Sequence, residues 1–103
     1  MRRRYIPVLN IHVTCNFTSD MITYSNGEVY KCDKDSHHYI INIDNEIDFI
    51  DKVTAIRHEV GHVVTEAWLK CGEKITLDGE VYQYIQDDIF RQIIRYAERK
   101  NLL

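Results

Sequence analysis

The hydrophobic pattern changes its period near Ile43, and this change constrains the fold more than any other feature of the sequence. Before Ile43, β-branched and aromatic residues dominate and apolar residues tend to recur at every second position, as in strands with one buried face. After Ile43, apolar residues recur at every third or fourth position, as on one side of a helix. The sequence therefore predicts an α+β fold with a sheet over residues 1–43 and two helices over residues 44–103.

Four segments have the composition and alternation of strands, and they predict a small, mostly antiparallel sheet of three to four strands: residues 6–14, 21–24, 28–32 and 38–43. Pro7 lacks a backbone N–H, so the first strand should begin there or lie at a sheet edge. The Asn26-Gly27 pair tolerates positive φ, so the second and third segments are predicted to form a hairpin. The last strand should bury Tyr39, Ile41 and Ile43 on one face.

Two amphipathic segments predict the helices. The first should begin near Asp44-Asn45-Glu46, which offers N-cap oxygens, and end near Gly72, which suits a left-handed cap. The second should begin at Thr76 or Asp78. The predicted buried stripes are Ile47, Ile50, Val53, Ala55 or Ile56, Val60, Val63 or Val64, and Ala67 in the first helix, and Val81, Ile85, Ile89, Ile93 and Tyr96 in the second.

Composition narrows the class of protein. A chain of 103 residues with 45% hydrophobic and 28% charged residues is typical of one globular domain with a modest core, as a monomer or homodimer. The net charge of −3 disfavours nucleic-acid binding, which needs concentrated positive charge. That function is the weaker alternative, and it would depend on two groups of arginines: Arg2, Arg3 and Arg4, and Arg91, Arg95 and Arg99. No apolar run approaches the ~20 residues of a membrane-spanning helix.

The cellular compartment follows from the N-terminus and the cysteines. Pro7, Asn10 and His12 interrupt the run after the basic start, so no secretory signal is predicted. The three cysteines show no CxxC spacing and predict neither a disulfide framework nor a thiolate zinc site; they are Cys15, Cys32 and Cys71. We expect reduced thiols in a cytoplasmic protein.

The segment His58-Glu59-Val60-Gly61-His62 carries the most informative chemistry. Histidines four residues apart on a helix project from one face, so His58 and His62 can both bind one metal ion at ~2.0–2.1 Å. Glu59 lies about 100° further round the helix, where its carboxylate can take a proton from a water on the ion. This HExxH pattern, within a predicted helix, indicates a zinc site with Glu59 as general base.

These five residues resemble the HExGH form of the zincin metallopeptidases, in particular compact bacterial and phage-encoded members such as the immunity peptidases of mobile elements, and the minimal gluzincins. The specific match covers Arg57 to His62, and the order of sheet and helices matches the general layout. The resemblance implies a zinc-dependent peptidase acting on a protein or peptide, with a host or repressor protein as the natural substrate class. We expect the substrate to lie extended beside an edge strand, provisionally residues 38–43.

Catalytic zinc takes three protein ligands and a water, so a third ligand is required. By resemblance to the gluzincins it is a Glu on the second helix, and Glu80 fits that place. If the helices are straight and antiparallel, the helical rise instead places Asp87 or Asp88 level with His62. Glu80 is the first prediction, and Asp87 or Asp88 is the alternative.

Several other polar residues have simpler expected roles. Glu66 should be a surface charge or a partner of His62. His37 and His38 should lie in a solvated turn, with transition-state stabilisation by one of them as the alternative. The remaining candidates should be a surface or satisfied side chain (His12) and packing residues (Tyr82 and Tyr84). If no carboxylate joins the two motif histidines, the chain is instead predicted to be a non-catalytic zincin scaffold that binds a partner, with its metal structural or lost.

Overall fold

A computed structural model describes residues 1–70 and 79–103 and confirms the α+β class, because a four-stranded sheet precedes two helices. The strands are β1 (Arg4–Ile6), β2 (Ile11–Thr18), β3 (Gly27–Cys32) and β4 (Asp35–Asp44), and the helices are α1 (Phe49–Lys70) and α2 (Glu80–Arg99). The strand order is β1-β2-β4-β3. Only the β2–β4 pair is parallel, so the sheet is mostly antiparallel, as predicted.

The predicted hairpin around Asn26-Gly27 is wrong, because residues 21–24 form no strand. They belong to residues 19–26, here called the crossing loop, which passes from the end of β2 over the end of β4 to the start of β3. The carboxylate of Glu28 accepts hydrogen bonds from the backbone N–H groups of Ile22 and Thr23. These hydrogen bonds satisfy backbone N–H groups that would otherwise need a neighbouring strand as acceptor, so the segment is stable as a loop.

The first predicted strand is also divided in two. Residues 7–10 form a turn between β1 and β2, closed by hydrogen bonds from the N–H of Leu9 to the carbonyl of Ile6 and from the N–H of Asn10 to that of Pro7. Proline presets the φ that a turn needs, and asparagine tolerates the left-handed conformation. Asn10 has a φ of 51°. Turn chemistry therefore outweighs the alternation of apolar residues here.

Strand β4 lies between β2 and β3, so the prediction that residues 38–43 form an edge strand is wrong. Its predicted buried face is confirmed, because Tyr39, Ile41 and Ile43 are at most 1% exposed. Its backbone is hydrogen-bonded to a strand on each side, and its apolar face lies in the core. The edges of the sheet are β1 and β3.

Helix α1 begins later than predicted. Asp48 is its N-cap, since its carboxylate accepts a hydrogen bond from the N–H of Asp51 at 2.9 Å. Asp44 instead ends β4, and its carboxylate accepts from the N–H of Glu46. Both carboxylates suit local backbone donors, so the sequence alone does not decide between them.

Helix α2 buries a stripe shifted by one residue at its start: Tyr82, Ile85, Ile89, Ile93 and Ala97. Two residues of the predicted stripes are exposed instead: Val81 in α2 is 57% exposed, and Ile50 in α1 is 66% exposed. The other buried side chains of α1, with those of α2 and the inner face of the sheet, form one apolar core.

Neither described helix is apolar enough to cross a membrane. Four predicted cap, stop and thiol positions lie outside the described residues: Cys71, Gly72, Thr76 and Asp78.

Candidate functional site

His58 and His62 lie on the exposed side of α1, and their ring nitrogens meet. Nε2 of His58 and Nε2 of His62 are 3.0 Å apart, and the rings stand nearly perpendicular, with centroids 4.5 Å apart. Two imidazoles bound to one tetrahedral zinc at ~2.0–2.1 Å hold their nitrogens roughly 3.3 Å apart. The spacing of this pair therefore suits two ligands of one ion.

Glu59 lies on the side of α1 that faces β3. It is 7% exposed, and its Cγ would be 3.1 Å from a Cβ added at Gly27. Within residues 1–70 and 79–103, no group donates a hydrogen bond to the Glu59 carboxylate or forms an ion pair with it. The carboxylate oxygens are not among the buried, unpartnered polar atoms of the described residues, so they are open to solvent.

That carboxylate lines a cavity of about 290 Å³, here called the site cleft. One wall is the end of the crossing loop and the start of β3, and the other is the first half of α1. Its lining residues are Ser25, Asn26, Gly27, Asp51, Thr54, Ala55, His58 and Glu59. The cleft therefore brings the first motif histidine and the predicted general base to one solvent-accessible space.

The two helices run antiparallel, which fixes where the predicted third ligands lie. The hydroxyls of Thr65 and Tyr82 are 2.8 Å apart, so Glu80 lies more than one helical turn past the level of His62. In the parts of the chain that the structure describes, no three His, Cys, Asp or Glu side chains lie close enough together to hold a metal ion. The structure brings His58 and His62 together but does not bring Glu80 to them, so its role as a ligand stays a prediction.

The alternative ligands have other neighbours. Asp87 lies 3.9 Å from a guanidinium nitrogen of Arg57, and Asp88 accepts a hydrogen bond from the amide of Gln92 at 3.0 Å. The α2 side chain opposite Gly61 is the amide of Gln86. The helical rise correctly predicts that residues close to Asp87 are level with the motif, but it does not predict which of them faces α1.

The remaining candidates lie away from the histidine pair. Glu66 forms a surface ion pair with Lys31 at 2.8 Å, which confirms its expected role as a surface charge. His38 lies beside His12 on the opposite face of the sheet from the core, and its Nε2 is 2.7 Å from the hydroxyl of Thr14. The prediction that His37 and His38 lie in a turn is wrong, because both belong to β4, where His37 is exposed. Of the two tyrosines, Tyr82 is buried and hydrogen-bonded to Thr65, and Tyr84 is exposed on α2.

Glu28 is the residue that sequence reasoning missed, and it shapes the wall of the site cleft. Its buried carboxylate accepts hydrogen bonds from the N–H groups of Ile22 and Thr23, the hydroxyl of Thr23 and the amide of Asn42. Burial acts to raise the pKa of Glu28, but these hydrogen bonds outweigh it and hold the pKa below its ordinary value. Its only signal in the sequence is a single glutamate at the start of the predicted strand 28–32.

We expect Glu28→Gln to lower the free energy of unfolding at neutral pH by about 1–2 kcal/mol, since hydrogen bonds to a charged group are lost. Because the pKa of Glu28 is lowered in the folded state, its contribution is present above the ordinary glutamate pKa of ~4.3. It is lost as pH falls through the lowered pKa. Urea unfolding across this pH range should show the deficit of the variant shrinking in acid, whereas Glu98→Gln, an exposed change on α2, should cost little at any pH.

Comparison with known proteins leaves the site to be interpreted from its own geometry. No protein-family model matches the chain, and no curated protein or solved structure matches it.

Proposed function

We propose that this protein is a metal-dependent peptidase, with zinc as its ion. The observation that carries the proposal is the convergence of two histidine Nε2 atoms, 3.0 Å apart, on the helix that also carries the carboxylate of Glu59. Imidazoles in this arrangement are ligands that zinc prefers. A carboxylate held next to them, rather than between them, is placed for proton transfer.

Each residue of the chain then has a defined task. Bound zinc supplies a Lewis acid that polarises a carbonyl and lowers the pKa of water. Glu59 takes the proton from the attacking water and passes it to the leaving amine. Most of the Glu59 side chain is buried, but the residue lines the open site cleft, so its carboxylate can reach a water there.

The edge strand β3 is the proposed binding site for the substrate backbone. It begins at Gly27, next to Glu59. Within the described part of the chain it pairs only with β4, so its other edge can bond an extended segment as an added strand. Such binding uses backbone groups and selects loops or unfolded segments of a protein. A host or repressor protein as substrate remains a prediction from the resemblance, and a cytoplasmic location remains a prediction from the N-terminus and the cysteines.

Metal binding tests the proposal directly. We expect wild-type protein to bind zinc near stoichiometrically, and His58→Ala and His62→Ala each to weaken binding by more than about 100-fold, because loss of a ligand exceeds the 10–100-fold cost of losing a supporting residue. His37→Ala is the matched control, since it removes an exposed histidine elsewhere. Calorimetric titration and metal analysis give the affinities.

Two further variants identify the third ligand in the same experiment. Loss of zinc in Glu80→Gln but not in Asp87→Asn would assign Glu80, and the reverse result would assign Asp87. Wild-type protein that binds no zinc after reconstitution, or that binds it equally well in His62→Ala, would contradict the proposal.

One observation favours a second function, a non-catalytic scaffold that binds a partner. The described residues hold no three-ligand group, and a site with two ligands binds zinc weakly. This alternative predicts a protein that binds extended peptides without cleaving them, whether or not zinc is supplied.

A further inference from the structure

The site cleft continues into a second cavity, and the two together form an acidic groove. The second cavity, of about 340 Å³, lies between the crossing loop and the end of β4, and it shares Ser25 and Asn26 with the site cleft. Its other lining residues are Ser19, Met21, Thr23, Tyr24 and Asp44. The two cavities therefore adjoin at Ser25 and Asn26, with Glu59 lining one and Asp44 lining the other.

The described lining of the groove is acidic. Asp44, Asp51 and Glu59 line it, and no lysine or arginine of residues 1–70 and 79–103 does. Residues 5–30 and 44–51 contain neither Lys nor Arg. The two cations of the α1 stretch that lines the groove are engaged elsewhere, since Lys52 donates to the carbonyl of Leu102 and Arg57 lies over the ring of Phe90. A lining of this kind repels phosphates and carboxylates and attracts cationic side chains.

Two independent observations indicate that the groove receives a ligand. The first is Glu59, more than nine-tenths buried, which opens into the groove with no partner among the described residues. The second is aromatic: Tyr24 is fully exposed on the crossing loop beside Met21, in the same cavity as Asp44. Tyrosine and methionine faces suit the aliphatic stem of a lysine or arginine whose charged end lies at a carboxylate.

We propose that the acidic groove selects extended protein segments that carry lysine or arginine, with the cationic side chains at Asp44 and Asp51 and their stems against Tyr24. This inference names the substrate class and rests on the proposed function for its catalytic meaning. Backbone bonds to β3 supply affinity without sequence preference, and the groove adds the preference for cations.

The test measures binding apart from cleavage. Short, unstructured, dye-labelled peptides with lysines at alternating positions, and counterparts with glutamine or glutamate there, are titrated by fluorescence anisotropy against the full chain carrying Glu59→Gln. We expect the lysine peptide to bind best, the glutamate peptide worst, and the preference to shrink in high salt. Asp44→Asn and Asp51→Asn should each weaken the lysine peptide by up to about fivefold, and leave the glutamine peptide unchanged.

Asp33→Asn, the same charge change in the turn between β3 and β4, is the matched control and should alter nothing. Equal binding of the lysine and glutamine peptides, binding by none of them, or insensitivity to both Asp44→Asn and Asp51→Asn would overturn the inference. Charge-selective binding by a protein that hydrolyses nothing would refute the peptidase and leave this inference standing. Hydrolysis without charge preference would refute this inference and leave the peptidase proposal standing.

Discussion

Glu59→Gln is expected to reduce peptide hydrolysis by roughly 10²–10⁴-fold, the usual contribution of a general acid–base residue, while zinc binding is retained. The amide keeps the shape of the side chain but cannot accept the proton of the attacking water. No described group forms a hydrogen bond or ion pair with the Glu59 carboxylate, so Glu59→Gln removes no such contact and should leave the free energy of unfolding near wild type. Release of dye from a labelled unfolded protein, metal analysis and urea unfolding measure the three quantities.

Glu66→Gln is the matched control for this change. It alters the same residue type on the same helix, at an exposed position paired with Lys31. An exposed ion pair contributes at most about 1 kcal/mol, so hydrolysis should stay near wild type. Full activity in Glu59→Gln, or equal losses in both variants, would contradict the assignment of Glu59 as general base.

The period change at Ile43 predicts the fold class because burial against one core imposes a repeat of two on strands and of three to four on helices. It does not predict the strand order. Asn26-Gly27 suits a tight hairpin, but the structure uses Asn26 and Gly27 to end the crossing loop and begin β3. The competing stabilisation comes from Glu28, whose bonds to Ile22 and Thr23 are local in sequence yet depend on the finished sheet.

The site shows the same division between local and long-range information. His58 and His62 are related by helical geometry alone, so their convergence follows from the sequence. The place of Glu80 depends on how far α2 is displaced along α1, which side-chain packing at the helix contact decides. The close approach of Glu59 to β3 likewise involves Gly27, a residue 32 positions away in sequence (59 − 27) whose role no helical pattern reveals.

Gly27→Ala is expected to lower hydrolysis by up to about tenfold through Glu59, since the side chain must move by a few tenths of an ångström and a displacement of about 1 Å at a catalytic group costs up to about 10²-fold. The new Cβ would lie 3.1 Å from Cγ of Glu59, and 3.3 Å from both Cβ of Ala55 and Cδ1 of Ile43. The two apolar neighbours belong to the core, so the Glu59 side chain is the group that moves. Zinc affinity should persist, because Gly27 contacts neither histidine of the pair. Steady-state kinetics and metal titration separate these effects.

Gly61→Ala provides the contrasting glycine change, within the motif itself. Its new Cβ would meet only the flexible amide of Gln86, at 3.4 Å, and alanine stabilises a helix interior by up to about 1 kcal/mol relative to glycine. We therefore expect a higher unfolding temperature and hydrolysis close to wild type. If Gly27→Ala were as active as Gly61→Ala, the carboxylate of Glu59 would not depend on close contact with β3 for its position. If Gly27→Ala instead lost zinc together with activity, the damage would extend beyond Glu59 to the fold of the helix that carries both histidines.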